Sequence, residues 1–196
     1  MGRGLHWLLI GRARALSGGP RRSATPSAPS ETDVAMMRRA LDLARAAGEA
    51  GEVPIGAVVY RTATGEVLGE GANAREGAND PAGHAELIAI RHACARAGDW
   101  RLNDCTLAVT LEPCPRCAGL IVNARLGRVV LGAMDPKAGA VGSLYRIADD
   151  PRLNHRARIV AGVLGDECGH MLASFFRRLR EERNRERGAR KRGRRV

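Results

Sequence analysis

Two short motifs that lie thirty residues apart constrain this chain more than any other feature. They are His84-Ala85-Glu86 and Pro113-Cys114-Pro115-Arg116-Cys117. One imidazole and two thiolates make three ligands for zinc, which prefers four, so the fourth position is left open for water. Because these ligands come from two separate segments, the fold must bring both segments to one point.

The open fourth position indicates a catalytic zinc site rather than a structural one. Zinc lowers the pKa of a bound water from about 16 to about 7, so zinc-bound hydroxide exists at neutral pH. Glu86 lies two residues from His84, where it can move the protons of that water without itself binding metal. His-x-Glu followed by Pro-Cys-x-x-Cys is typical of zinc deaminases that act on nucleobases. The motifs therefore predict His84, Cys114 and Cys117 as zinc ligands and Glu86 as the catalytic residue.

A thioredoxin-like redox motif is the main competing interpretation of Cys114 and Cys117. The pair follows a predicted strand at residues 106–111 and begins a predicted helix, as redox Cys-x-x-Cys motifs do. A helix N-terminus stabilises a thiolate for redox exchange and for metal binding alike. The redox interpretation, however, leaves His84 and Glu86 without a role.

The remaining cysteines favour a reducing compartment. The chain has five cysteines, and Cys94, Cys105 and Cys168 lie in apolar stretches where small buried side chains are expected. An odd count with two members in Cys-x-x-Cys fits a disulfide framework poorly. A length of 196 residues predicts one domain with extensions. No apolar run reaches the roughly 18 residues of a membrane span, so none is expected.

The net charge of +11 is concentrated at the two ends of the chain. Residues 1–30 carry +5 and residues 177–196 carry +8, which leaves a nearly neutral body. We expect a disordered N-terminal extension at 1–30, a zinc-dependent deaminase domain at 31–180 and a basic C-terminal tail at 181–196. A basic tail beside an active site is typical of contact with a phosphate backbone, although a merely solubilising tail is the common alternative.

The N-terminal extension is compatible with two cellular locations. An acid-free stretch that is rich in Arg and Ser resembles a mitochondrial transit peptide, and it equally resembles an over-extended start of a GC-rich bacterial gene. The heavy use of Ala, Arg, Gly and Val favours the bacterial alternative. We therefore expect a bacterial cytoplasmic protein, or an organellar one if residues 1–30 are a transit peptide.

The periodicity of apolar residues predicts alternating helices and strands. Asp33 is predicted to cap a first helix that ends near Gly48, and Asp166 to cap the last one. Strands are predicted at 54–60, 67–69, 106–111, 128–133 and 158–163, and further helices at 84–97 and 115–124. Two helices that each begin with zinc ligands, packed on one sheet, would unite the motifs. The fold class is therefore predicted as α/β, a three-layer α/β/α sandwich around a five-stranded mixed sheet.

The stretch from about Asp33 to Arg180 resembles the bacterial tRNA-specific adenosine deaminases of the cytidine-deaminase-like superfamily. The matches extend well beyond the zinc motifs. They are Glu52 to Val58, Asn73, Asp80-Pro81, Thr110 to Cys114, Cys117 to Gly119, Gly132-Ala133, Asp135, Lys137, Gly139, Gly142 to Leu144, Asn154-His155 and Phe175 to Arg177.

The resemblance implies hydrolytic conversion of adenosine to inosine at the wobble position of the anticodon of an arginine tRNA. It implies one zinc per subunit, a homodimer and a tRNA anticodon stem-loop as partner. Asn73 would hydrogen-bond the flipped purine, and Asp135 would contact the ribose or backbone. Phe175 and Phe176 are able to stack on flanking bases, but we expect at least one of them to be core.

Two further alternatives to this function remain open. A deaminase of a free nucleobase or nucleoside would share the zinc and Glu86, and it would not need a basic tail. A non-catalytic RNA-binding subunit would be expected to have lost Glu86. Ala74 and Met134 depart from the family pattern, which often has a basic residue at each position, and this puts tRNA affinity in question but not the chemistry.

Overall fold

The computed structural model describes residues 28–193, with side chains described as far as Arg187. The predicted disorder of the N-terminal extension falls almost entirely outside these residues. The helices are α1 (Glu31–Glu49), α2 (Arg75–Ala78), α3 (Ala85–Ala97), α4 (Pro115–Asn123) and α5 (Gly165–Gly193). The strands are β1 (Gly56–Arg61), β2 (Val67–Ala72), β3 (Cys105–Leu111), β4 (Arg128–Ala133) and β5 (Arg158–Ala161).

The five strands form one mixed sheet in the order β2-β1-β3-β4-β5. Strand β1 pairs antiparallel with β2 and β3, whereas β3, β4 and β5 run parallel. One sheet face packs against α1 and α5 around Met37 and Cys168, and the other packs against α3 and α4 around Ile90 and Ile121. The predicted three-layer sandwich is thereby confirmed.

Helix α1 begins three residues earlier than a cap at Asp33 would allow, so that prediction is wrong. Ser30 is the N-cap, with extended backbone, and its hydroxyl accepts a hydrogen bond from the Asp33 N–H at 3.1 Å. The Asp33 carboxylate accepts one from the Ser30 N–H at 2.7 Å, which completes a capping box. Asp33 also bonds the Tyr60 hydroxyl and Arg128, so it links α1 to two strands.

Helix α3 lies unusually close to the edge strand β2. A Cβ on Gly71 would fall 2.2 Å from the Ala85 carbonyl oxygen, and one on Gly69 would fall 2.2 Å from the Ala89 oxygen. The buried side chains of α3 are mostly alanines for this reason. Among the larger apolar side chains of α3, Ile90 is buried and Leu87 is half-buried. Cys94, which was expected to be buried, is also only half-buried, so that expectation is wrong.

Helix α5 differs from prediction at its start. It begins at Gly165, directly after Leu164 in the left-handed conformation, so Asp166 lies in the first turn and is not the cap. The helix then continues without interruption through residue 181 to Gly193. None of the helices described in 28–193 is both long and apolar enough to cross a membrane.

Candidate active site

The two motifs converge where two helices begin beside the central strands. His84 is the N-cap residue of α3, and Cys114 is the N-cap residue of α4, where Pro115 occupies the first turn. The His84 Nδ1 atom lies 3.7 Å from Cys114 Sγ and 3.5 Å from Cys117 Sγ. All three potential ligand atoms lie within 4.8 Å of one another. The fold therefore brings the three predicted ligands to one point.

The spacing of these atoms fits a tetrahedral zinc ion. Zinc–sulfur bonds of about 2.3 Å and zinc–nitrogen bonds of about 2.0–2.1 Å at a tetrahedral angle imply a nitrogen-to-sulfur distance of about 3.6 Å. The two observed distances of 3.7 and 3.5 Å lie on either side of that value. The donor set, one imidazole and two thiols, is also one that zinc prefers.

The pKa values of the two thiols are shifted in opposite directions. The Cys117 thiol donates to Cys114, and this hydrogen bond, helped by His84, lowers the pKa of Cys114 to about 3. The same hydrogen bond and burial raise the pKa of Cys117. A cation bound between them would replace the proton of Cys117, because metal ligation requires the thiolate.

Glu86 lies in the first turn of α3 and is 4% exposed, which is unusual for a carboxylate. Burial raises the pKa of Glu86, and a hydrogen bond from its own backbone N–H and the nearby His84 only partly oppose this shift. A buried acid beside the ligand cluster is placed to hold a proton at the floor of the site.

A cavity of about 250 Å³ lies over the cluster. This is somewhat below the ~300–1,000 Å³ typical of sites for drug-sized ligands, so it suits a group of about the size of one base. The side chains around it come from six separate parts of the chain. They are Val53, Ile55, Asn73, Arg75, His84, Glu86, Leu111, Glu112, Cys114, Asp135, Ala138 and Phe176. Asn73 and Asp135, which were predicted as substrate-binding residues, thus line the same cavity as His84 and Glu86.

One wall of the cavity is held by a buried carboxylate that lies outside both sequence motifs. Glu52 accepts hydrogen bonds from the backbone N–H groups of Arg75, Glu76 and Gly77 at 3.0, 3.2 and 2.7 Å. The Asn73 side-chain amide lies 3.5 Å from the same carboxylate. Burial alone would raise the pKa of Glu52, but these backbone hydrogen bonds outweigh it and lower the pKa. Glu52 therefore caps α2 and orients Asn73.

Another part of the cavity lining is held in the same way by Glu112. Its carboxylate accepts hydrogen bonds from the backbone N–H groups of Asp135, Val141 and Gly142 at 2.9, 3.0 and 2.7 Å, and also from Ser143. Burial would raise the pKa of Glu112, but the hydrogen bonds, above all that of the Ser143 hydroxyl, lower it. The loop that carries Asp135 is thus anchored next to Cys114. An acid directly after an apolar strand is the signal that would have indicated this role, because a buried carboxylate needs hydrogen-bond partners.

The two phenylalanines of α5 do not behave as predicted. Their rings meet edge to face with centroids 5.5 Å apart, but Phe175 is only half-buried and Phe176 is 40% exposed. The expectation that at least one is core is therefore wrong, because α5 is leaving the sheet at this point. Phe176 instead lies at the rim of the cavity.

Comparison with known families identifies the site. The model of the cytidine and deoxycytidylate deaminase zinc-binding region matches residues 30–133, which include both motifs. A Bacillus subtilis tRNA-specific adenosine deaminase is 47% identical over 151 residues, covering 77% of this chain and 92% of the relative. A Haemophilus influenzae protein of the same name is 46% identical over 154 residues, covering 79% and 88%.

One solved structure agrees with these relatives. A structure from a study of A-to-I editing by tRNA A34 deaminases at the wobble position matches with a TM-score of 0.67 at 42% identity, covering 70% of this chain and 99% of that one. The resemblance proposed from the sequence is confirmed by these matches. The chain therefore belongs to the cytidine and deoxycytidylate deaminase zinc-binding family and, within it, to the tRNA-specific adenosine deaminases.

Proposed function

We propose that this chain converts adenosine to inosine by hydrolytic deamination at the wobble position of the anticodon of an arginine tRNA. The observation that carries the proposal is the meeting of Glu86 and the His84, Cys114 and Cys117 cluster beneath a cavity of about the size of one base. The relatives named tRNA-specific adenosine deaminases support the choice of substrate.

His84, Cys114 and Cys117 would hold one zinc ion per subunit. Zinc, when bound, supplies a Lewis acid that makes hydroxide available from water at neutral pH. The role of the protein itself is to hold three ligands in the required geometry and to exclude bulk water from the floor of the cavity.

Glu86 would manage the protons of the reaction. It takes one from the attacking water and delivers one to N1 of the purine, so the C6 carbon becomes more electrophilic. The oxygen of water forms a bond to C6, and Glu86 then takes the second proton of that oxygen and passes it to the amino nitrogen. The bond from C6 to this nitrogen breaks, so that ammonia leaves and the C6 oxygen becomes a carbonyl. Water and adenosine are consumed, and inosine and ammonia are formed.

Asn73 and Asp135 would hold the substrate. The target base must leave its stack, which costs a few kcal/mol and less in an open anticodon loop. The Asn73 amide, oriented by Glu52, would hydrogen-bond the purine, and Asp135, in the loop anchored by Glu112, would contact its ribose or backbone.

The test uses full-length protein and an arginine tRNA that bears an ACG anticodon. Inosine at the wobble position is detected by sequencing, and zinc is measured per chain. Glu86→Gln should lower the rate by about 10²–10⁴-fold while zinc is retained. The exposed Glu49→Gln variant, a matched loss of one carboxylate, should keep both the rate and the zinc.

The other outcomes separate the alternatives. Zinc without deamination of tRNA would overturn the tRNA proposal, and the same protein would then be assayed on free bases and nucleosides. Absence of zinc would favour the alternative in which Cys114 and Cys117 form a dithiol redox pair.

We further propose that the protein is a homodimer in the bacterial cytoplasm. Large apolar side chains that are exposed in a single chain, Leu144, Tyr145 and Leu153, support a second copy as their cover. Light scattering of the purified protein should give twice the mass of 21.0 kDa, and a monomer at micromolar concentration would contradict this.

A further inference from the structure

A tight turn leads directly into His84, the first of the proposed zinc ligands. In this turn the Gly83 N–H donates to the Asp80 carbonyl at 3.0 Å, and the Asp80 carboxylate accepts a hydrogen bond from the Ala82 N–H at 2.7 Å. Pro81 occupies the second position, where its fixed φ favours the turn. Because His84 follows at once as the N-cap of α3, a shift of the turn is transmitted to its imidazole.

The turn is held from two sides. On one side, the Ala74 N–H donates to the Gly83 carbonyl at 2.9 Å, and a Cβ on Gly83 would fall 2.6 Å from the Ala74 oxygen. On the other side, the Arg116 guanidinium donates from Nη1 to the Pro81 carbonyl at 2.5 Å. Arg116 lies between the two cysteines of the second motif, in the first turn of α4. Its hydrogen bond therefore joins the segment that carries the histidine ligand to the segment that carries both thiols.

This link between the two segments does not depend on the metal ligands. Within the part of the chain that the structure describes, the other hydrogen bonds between residues 79–97 and residues 112–124 all involve a proposed zinc ligand. A bound metal would replace those contacts, because its ligands must give up their protons to it. The hydrogen bond from Arg116 to Pro81 would persist, and its donor is charged, which makes such a bond stronger than one between neutral groups.

Helix stability does not explain an arginine at this position. The N-terminus of a helix carries a partial positive charge, so a cation in the first turn of α4 is unfavourable. Arg116 is exposed and adds nothing to the core, and none of the ion pairs among the residues with described side chains includes it. The Pro81 carbonyl is the contact that accounts for where its guanidinium lies.

We propose that Arg116 is a positioning residue that raises the affinity of the site for zinc by holding the turn before His84. This inference rests on the zinc site of the proposed function, and it adds to that site a residue that touches neither substrate nor metal. Ligands that are already in place lose less conformational freedom when the metal binds, so the metal binds more tightly.

The size of the effect follows from how Arg116 acts. Groups that orient metal ligands through hydrogen bonds typically change metal affinity by about 10–100-fold when they are removed. Arg116 bonds the turn and not the imidazole itself, so we expect its loss to weaken zinc binding by about tenfold, the lower end of that range.

The test compares three variants of the full chain. Arg116→Met removes the guanidinium and keeps an unbranched apolar stem, whereas Arg116→Lys keeps the charge and one donor for the Pro81 carbonyl. Arg156→Met is the matched control. Arg156 is also exposed and also donates to a backbone carbonyl, that of Asp149 at 2.8 Å, but it does not line the cavity.

Two quantities are measured for each variant. The Kd for zinc is obtained by competition with a chromophoric chelator, and amide hydrogen exchange at Gly83 and His84 is followed in the metal-free protein. These two N–H groups donate within the turn, to Asp80 at 3.0 Å and to Ala82 at 2.7 Å, so their exchange reports how firmly the turn is held.

Arg116→Met should bind zinc about tenfold more weakly and exchange both amides faster than the wild type. Arg116→Lys should restore most of both properties, and Arg156→Met should match the wild type in both. Wild-type zinc affinity and exchange in Arg116→Met would overturn the proposal. Weaker zinc binding without faster exchange would also overturn it, since Arg116 would then act by its charge on the thiolates.

Failure of the proposed function would look different. A wild type that binds no zinc would contradict the zinc site, whatever Arg116 does. The exchange rates of the metal-free proteins would then still decide whether Arg116 holds the turn, and equal rates in the wild type and Arg116→Met would show that it does not.

Discussion

Ser143 donates two hydrogen bonds to Glu112, one from its backbone N–H at 2.9 Å and one from its hydroxyl. A residue of an exposed loop is thereby tied to a buried carboxylate two positions before Cys114, one of the proposed zinc ligands. Glu52 ties α2, which carries the cavity residue Arg75, to the body of the protein in the same manner. The substrate pocket is thus shaped by two carboxylates that take no part in the proposed chemistry.

Glu112→Gln should weaken both the protein and its substrate binding. The amide offers one acceptor oxygen where the carboxylate offers two, and hydrogen bonds to a charged group contribute about 1.5–3 kcal/mol each. We expect the free energy of unfolding to fall by about 2 kcal/mol and KM for tRNA to rise more than kcat falls. Urea denaturation and steady-state kinetics check this, with Glu49→Gln as the exposed control. A loss confined to kcat would contradict a role in positioning the loop.

Asp33 should make the stability of the protein dependent on pH in the acid range. Burial raises the pKa of Asp33, but hydrogen bonds from Arg128, Tyr60 and Ser30 outweigh it and hold the pKa far below its ordinary value. A lowered pKa in the folded state stabilises the protein above the unfolded value of about 3.9, and this stabilisation is lost as the pH falls below it.

Asp33→Asn should therefore lower the free energy of unfolding by about 3 kcal/mol at pH 7. The difference from the wild type should shrink between about pH 4 and pH 2. Urea denaturation at several pH values measures it, and loss of zinc in acid affects both proteins alike. Asp42→Asn, which removes an exposed ion pair with Arg45, should change stability by less than about 0.5 kcal/mol. If the difference in free energy of unfolding between the wild type and Asp33→Asn stayed constant down to pH 2, the charge of Asp33 would not be the source of its stabilising effect.

Gly71→Ala should disturb the active site by pushing the start of α3 away from β2. The new methyl group would lie 2.2 Å from the Ala85 oxygen and 2.7 Å from the Ala89 nitrogen, so α3 must move away from β2. Such overpacking costs about 1–3 kcal/mol, and the movement displaces His84 and Glu86. We expect lower stability and weaker zinc binding, measured by thermal denaturation and metal titration.

Gly119→Ala is the matched substitution in the other helix of the site. A Cβ at Gly119 meets no atom within 4 Å, so alanine should raise stability by up to about 1 kcal/mol through its higher helix propensity. If both substitutions destabilised the protein equally, close approach of α3 to β2 would not be the cause.

Zinc should stabilise the fold through Cys117. A ligand that binds only the folded state stabilises it by about 2.7 kcal/mol at a hundredfold excess over its Kd. A chelator should therefore lower the melting temperature of the wild type, and it should not lower that of Cys117→Ser, which lacks one ligand. Cys94→Ser, a half-buried cysteine outside the cluster, should behave as the wild type does. Retention of zinc by Cys117→Ser would remove this residue from the ligand set.

Local patterns in the sequence were sufficient for the order of most helices and strands and for the residues of the His84, Cys114 and Cys117 cluster. The His-x-Glu and Pro-Cys-x-x-Cys motifs specify donor atoms, and the apolar runs specify the segments that became strands of the sheet. These features are local, so they do not depend on where distant segments come to lie.

Tertiary structure alone decided which surfaces meet. The burial of α3 through its alanines depends on Gly69 and Gly71 of a neighbouring strand, and no periodicity within α3 reveals that approach. Asp33 lies in the first turn of α1, and its contact with Arg128, 95 residues away, is made by the sheet. Glu52 and Glu112 became anchors because folding buried them among backbone N–H groups that water would otherwise satisfy. Donor chemistry is a property of residues, whereas burial and the contacts that compensate for it are properties of the folded chain.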